Sequence, residues 1–173
     1  MSYGRFDNPV VAALAGLRDI FSKQNRDDRL GEGDRFEGKT CLVTGANSGL
    51  GFALAVELAR RGGRVIMACR RHIPEAGQRV REISGSDVVE MRYLDLSKID
   101  SIHAFVDGLG AEGIRLDVVI LNAGVALPKA RKTASGLDEI FLVNYLANVI
   151  LMSRLLQDNI IANRTFGDDK SAI

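Results

Sequence analysis

From Lys39 to Asp158 the chain alternates short apolar runs with longer stretches whose apolar residues recur every three or four positions. The short runs read as buried strands and the longer stretches as amphipathic helices. "TCLVTG" from Thr40 is a strand, and "GLGFALAVELARRG" is a helix ending at Gly62. "RVIMAC" from Arg64 is a second strand, and "IPEAGQRVREIS" a second helix. "DVVEMRYLDL" from Asp87 contains the third strand, followed by the helix "SKIDSIHAFVDGLG" from Ser97. "LDVVILNAG" from Leu116 holds the fourth strand, and "SGLDEIFLVNYLANVILMSRLLQD" from Ser135 a long helix. Strands alternating with helices make βαβ units, so the fold class is α/β: a parallel, doubly wound sheet with helices on both faces.

Ahead of this pattern, residues 1–36 form a leader, and residues 37–173 form the domain. In "NPVVAALAGLRDIF" the residues Val10, Val11, Leu14, Leu17 and Phe21 have helical spacing, with Asn8 as cap and Pro9 at the first turn. This helix is expected to pack on the domain surface, and the polar stretch from Ser22 to Gly38 to act as a linker.

Composition narrows the function classes. Hydrophobic residues make up 46% of the 173, enough for a core, and the formal net charge is +1. Basic residues are dispersed, which argues against nucleic acid as the main partner. No apolar run approaches the ~20 residues that span a bilayer. The start "MSYGRFDNPV" lacks the pattern of a secretory signal, so the expected location is cytoplasmic. Cys41 and Cys69 are expected as buried free thiols, and His72 and His103 as structural or solvated. No metal-ligand spacing is present.

The eight residues Thr44-Gly45-Ala46-Asn47-Ser48-Gly49-Leu50-Gly51 join the first strand to the first helix. Gly45 provides the sharp exit from the strand, Gly49 lets backbone approach a phosphate, and Gly51 lets the helix pack closely. Thr44 is expected to brace the loop. Free N–H groups and the helix dipole favour an anion here. Strand before, helix after and a second strand about twenty residues on is the context of a dinucleotide site. The second strand ends in Arg70 and Arg71 rather than in an acidic residue. A guanidinium cannot accept from a ribose 2′-hydroxyl but suits a 2′-phosphate, so NADP is preferred over NAD. The competing reading is that both are solvated charges opening a loop.

"TGANSGLG" resembles the cofactor turn of the short-chain dehydrogenase/reductase family, and three further pieces follow in the family's order. "YLDL" puts Asp95 and Leu96 where the family contacts adenine. "LNAG" puts Asn122, Ala123 and Gly124 on the motif after the fourth strand. "IFLVNYLANVILM" puts Asn144 on the helix asparagine of the family's proton relay. The second-strand text is similar to the retinol-dehydrogenase-like branch, although Tyr145, Ala147 and Asn148 depart from it. Each piece has a plainer alternative: Asp95 as a helix cap, Asn122–Gly124 as a strand-ending turn, Asn144 as a structural amide.

The resemblance implies a Rossmann-type sheet of order 3-2-1-4, an alcohol or carbonyl substrate, and hydride transfer. It also implies a catalytic Ser, Tyr and Lys downstream of Asn144, which these 173 residues do not contain. The tyrosines Tyr3, Tyr93 and Tyr145 are followed four positions on by Asp7, Ser97 and Val149, never by Lys. Binding without turnover is therefore expected of this chain, as is a truncated sheet with the fourth strand at an open edge. The helix over 135–160 is apolar on more than one face, which predicts association, as a homo-oligomer or with the rest of a longer protein. The alternative is a non-catalytic nucleotide-binding or dimerisation module.

Overall fold

The structure, a computed structural model, describes residues 31 and 33–161. The chain divides into two compact units, Met1–Asp34 and Arg35–Ile173. The leader helix expected around Val10 to Phe21 lies outside the described residues.

Among the described residues, four strands alternate with four helices. They are β1 (Thr40–Thr44), α1 (Gly49–Arg60), β2 (Arg64–Cys69), α2 (Glu75–Ser84), β3 (Val89–Tyr93), α3 (Ile99–Ala111), β4 (Val118–Ile120) and α4 (Glu139–Gln157). All pairings are parallel and the order is β3-β2-β1-β4, as expected. Strand periodicity divides the core into two layers. Leu42, Ile66 and Ala68 belong to the layer filled by Ile102, Phe105, Val106 and Leu109 of α3 and Leu151 and Leu155 of α4. Their alternates Cys41, Val43, Val65 and Met67 belong to the layer with Ala55, Leu58 and Ala59 of α1 and Val80 of α2. β1 and β2 are buried at nearly every position because both faces are covered, hence their unbroken apolar text.

β4 ends the strand order, the edge position expected; just ahead of it Ile161 bridges Leu116 in parallel, and the Leu116 N–H donates to the Ile160 carbonyl at 2.8 Å. One sequence expectation needs correction. The Glu139–Gln157 helix is long and apolar enough, by length and composition, to cross a bilayer. Its sequence is punctuated by Asn144, Asn148 and Arg154, which hid that length. In the fold, its Leu142, Leu151 and Leu155 are fully buried, as in a helix that packs on a core.

α4 begins at Glu139, four residues later than the apolar pattern suggests. Asp138 is extended and its carboxylate accepts from the Phe141 N–H at 3.0 Å, a side-chain cap that sets the start. The preceding residues turn back on themselves through a Lys132–Asp138 bridge. Within α4, Leu142–Leu146 form a π-helical turn, in which the Ala147 N–H donates to the Leu142 carbonyl five residues back.

Leu151 is fully buried between α4 and the sheet. Leu151→Ala is expected to cost about 2–5 kcal/mol through lost burial and the cavity left. Urea unfolding should show a lower midpoint with an unchanged slope.

Candidate functional site

The C-terminal ends of the strands open onto a cleft of about 310 Å³. It lies outside the carboxyl edge of the sheet where the crossovers change direction, between the β1 and β4 ends. The glycine turn forms one side. Gly45 has φ +68°, and a Cβ there would lie 2.9 Å from the Cα of Ala123, so conformation and space both demand glycine. Gly49 also has positive φ, but with open space around it. At Gly51 the constraint is purely spatial: a Cβ would stand 2.4 Å from Asn122 Nδ2 and 2.7 Å from the Gly45 carbonyl. Ser48 precedes α1 in extended conformation, and its side chain makes no capping bond. The first-turn N–H groups of α1 thus keep their capacity for an external anion.

The opposite side is built by the residues after β4. Asn122 Nδ2 donates to the carbonyls of Thr44 at 3.1 Å and Gly45 at 3.5 Å. The Thr44 hydroxyl accepts from the Ala123 N–H at 3.0 Å and reaches the Ile120 carbonyl at 3.5 Å. Thr44 therefore braces the end of β4 rather than the glycine loop itself. Asn144 is anchored on both polar atoms: Oδ1 accepts from the Val125 N–H at 2.8 Å and Nδ2 donates to the Val125 carbonyl at 2.9 Å. Its side chain is thus spent on the backbone of Val125, which it fixes against α4. The Asn144 carbonyl accepts from Asn148 Nδ2 at 3.1 Å.

The far end of the cleft carries charge. Asp95 is buried, and its Oδ1 accepts from the Ser97 N–H at 3.0 Å and the Ser97 hydroxyl at 2.7 Å. Asp95 therefore shapes the turn before α3 without capping the helix, whose N-cap is Lys98, and it lines the cleft. Arg70 Nη1 stands 3.7 Å from Asp95 Oδ1, and Lys98 Nζ 3.9 Å from Oδ2. Nearby, the buried Glu139 is paired with Arg131, whose Nη2 donates to Oε1 at 2.7 Å and whose Nε donates to Oε2. These bonds hold the Glu139 carboxyl below its ordinary range, and the charge of Arg70 lowers it further.

The structure brings Thr44, Gly45, Asn47, Ser48, Arg70, Asp95, Leu96, Asn122, Ala123 and Gly124 to the cleft wall. Gly49, Leu50, Gly51, Arg71 and Asn144 are not in the wall. Gly51 and Asn144 act behind it, through Asn122 and Val125 respectively. Sequence reasoning missed Ala68, Cys69, Leu94, Ser97, Val125 and Val143. Ser97 was findable, since a Ser two residues after a strand-ending Asp is a common local hydrogen-bonding pair. Val125 and Val143 adjoin Gly124 and Asn144, yet nothing in an apolar residue's identity marks it as cleft rather than core. Leu94, Leu96, Val125 and Val143 give the cleft apolar lining beside its polar and charged residues. Among the described residues of the wall there is no Tyr, Lys or His to supply a proton. Tyr145 is exposed and pairs with Phe141, ring centroids 5.6 Å apart.

Cys41 and Cys69 are buried and free. Burial pushes both thiols up to about 11; the Ala46 and Asn47 N–H groups pull the other way at Cys69. Among the described residues, no cluster of His, Cys, Asp or Glu could hold a metal ion.

Comparison with known proteins places this architecture. Residues 39–167 match the family model described as short chain dehydrogenase. Retinol dehydrogenase 14 of Homo sapiens is 40% identical over 168 residues, covering 85% of this chain and 50% of that protein. Retinol dehydrogenase 11 of Homo sapiens is 45% identical over 124 residues, covering 69% of this chain and 38% of that protein. The chain thus spans about half the length, or less, of these relatives. Among solved structures, a metagenomic short-chain oxidoreductase in complex with NADP superposes with a TM-score of 0.60 at 34% identity. That match covers 71% of this chain and 57% of the other.

Gly51→Ala is expected to destabilise the chain by roughly 3 kcal/mol or more, because overpacking adds to the broken Asn122 bonds. Gly49→Ala should cost only about 1–2 kcal/mol, the strain of a left-handed backbone. Denaturant melts of both variants measure the difference. Because both thiols are held protonated well above neutrality, the folded protein at pH 8 should react slowly with a disulfide reagent, and at full rate once unfolded.

Proposed function

Since the chain belongs to the short-chain dehydrogenase family, we propose that its cleft binds NADP in preference to NAD, as the cofactor part of an oxidoreductase acting on alcohol or carbonyl groups. The observation that carries this reading is the meeting, in one cleft, of an uncapped helix N-terminus and a guanidinium. The first-turn N–H groups of α1 suit a pyrophosphate. Arg70, at the end of β2, suits the 2′-phosphate that distinguishes NADP. The apolar lining that includes Leu94 and Leu96 suits the adenine, with Asp95 beside it. When bound, the nicotinamide would supply the hydride chemistry; the residues of this chain bind and orient it. Gly124 and Val125, fixed by Asn144, set the wall on the β4 side.

The names of the retinol dehydrogenases support an apolar alcohol or aldehyde as substrate of the complete enzyme. For these 173 residues the reading is binding without turnover, because no Tyr carries a Lys four positions on. The two free, buried cysteines fit a reducing compartment such as the cytoplasm.

A second reading is a nucleotide-binding or dimerisation module. It is favoured by the outer face of α4, where Phe141, Tyr145, Val149 and Leu156 lie exposed at helical spacing. Sedimentation of the purified chain over a concentration series tests it, since a monomer throughout removes the homo-oligomer.

Calorimetry should show saturable NADPH binding, and Arg70→Ala should weaken it about tenfold or more while leaving NADH within about threefold. Equal losses for the two cofactors, or none, would remove the 2′-phosphate role from Arg70. No oxidation of NADPH is expected with any of a panel of aldehydes and ketones.

A further inference from the structure

Arg70 does not stand alone in the cleft. Its Nη1 lies 3.7 Å from Asp95 Oδ1, and its side chain is 39% exposed whereas that of Asp95 is 7% exposed. The buried partner is fixed: Ser97 donates to Asp95 Oδ1 twice, and the Asp95 N–H donates to the Ser101 hydroxyl at 2.9 Å. The guanidinium is long, flexible and half in water, so it is the member of the pair that moves. A second carboxylate, Glu139, also feels Arg70, but its own oxygens are already taken by Arg131. Asp95 is thus the anion that competes for Arg70 within the cleft. A 2′-phosphate arriving at Arg70 must share or displace that partner; a 2′-hydroxyl need not.

We propose that Asp95 is a specificity-determining positioning residue, which acts through Arg70 to restrain the preference of this cleft for a 2′-phosphorylated cofactor. The proposal rests on the reading that Arg70 meets the 2′-phosphate. It differs from an adenine contact by Asp95, which would serve both cofactors alike. Asp95 draws Arg70 inward and partly neutralises it, so the cleft discriminates less than a free guanidinium would. Lys98, 3.9 Å from Asp95 Oδ2 and 66% exposed, shares the same carboxylate and does not release Arg70 from it.

Asp95→Asn tests this. The amide oxygen still accepts from Ser97, so the turn before α3 keeps its bonds, while the charge that holds Arg70 is gone. Kd values for NADPH and NADH are measured by calorimetry in four proteins: the unmodified chain, Asp95→Asn, Arg70→Ala and the double variant. Asp95→Asn is expected to raise the ratio Kd(NADH)/Kd(NADPH) about five- to tenfold, as expected for freeing a charged donor. In the Arg70→Ala background the same change should move the ratio less than about twofold. An unchanged or lower ratio in the single variant overturns the proposal. So does an equal rise in both backgrounds, which would mean direct repulsion between Asp95 and the phosphate. If Arg70→Ala leaves the ratio unaltered, the 2′-phosphate reading of Arg70 fails and takes the proposal with it. If Arg70→Ala lowers it and Asp95→Asn does nothing, only the proposal fails. Should Asp95→Asn not fold, crystal structures of the unmodified chain with NADPH and with NADH decide. Arg70 should leave Asp95 in the first and stay beside it in the second; the same Arg70–Asp95 contact in both overturns the proposal.

Discussion

The site depends on the hydrogen bonds that tie the end of β4 to the end of β1. Asn122 donates to the carbonyls at the last residue of β1 and the first of the glycine turn, the Ala123 N–H donates to the Thr44 hydroxyl, and that hydroxyl reaches back to the Ile120 carbonyl. Each strand end here would otherwise present unpaired polar groups in a nearly dry place, since Thr44 is fully buried. The clasp uses all of the room available: Gly45 and Gly51 are the positions where any side chain would collide with it. The glycines therefore serve the protein's own packing as well as any phosphate. Of the three glycines of this turn, Gly49, with open space about it and a left-handed backbone, is glycine for conformation alone.

A second level of order is electrostatic. The carboxylates near the cleft are each engaged before a ligand arrives, Asp95 by Ser97, Arg70 and Lys98, and Glu139 by Arg131. A buried carboxylate left alone would be costly, so each acid recruits a base. The result is a charged end in which a cation is present but not idle. On the proposed reading, recognition of a phosphate there is an exchange of partners rather than the filling of a vacancy.

The alternation of apolar runs made the strands, the helices between them and their place on both faces legible, because strands covered on two faces have no other way to be written; the sheet order came with the family resemblance. The cofactor turn was legible for a similar reason: glycine at Gly45 and Gly51 is dictated by distances that no other residue satisfies. Side-chain partnership was less so. Asn144 stood out as an amide in a helix, but its partner, the backbone of Val125, has no sequence signature. The late start of α4 was hidden because the residues before Asp138 are as mixed in polarity as a helix surface, and only the capping bond to Phe141 separates them. The apolar cleft residues Val125 and Val143 read as core because, chemically, nothing sets them apart.

The π-helical turn of α4 has a consequence for how that helix can be read. From the fully buried Leu142 to the fully buried Ala147 the step is five residues, but from Ala147 to Leu151 and on to Leu155 it is four. A single helical period therefore cannot describe the whole segment, and a wheel drawn from either end misplaces the other. The helix holds one residue more than its rise requires, and the wide turn that absorbs this surplus includes Asn144. Deleting Tyr145 from that turn would leave every buried apolar side chain and both Asn144 and Asn148 in the sequence. It would still turn one half of the helix by roughly a quarter of a revolution against the other. In this helix, spacing is information that composition does not carry.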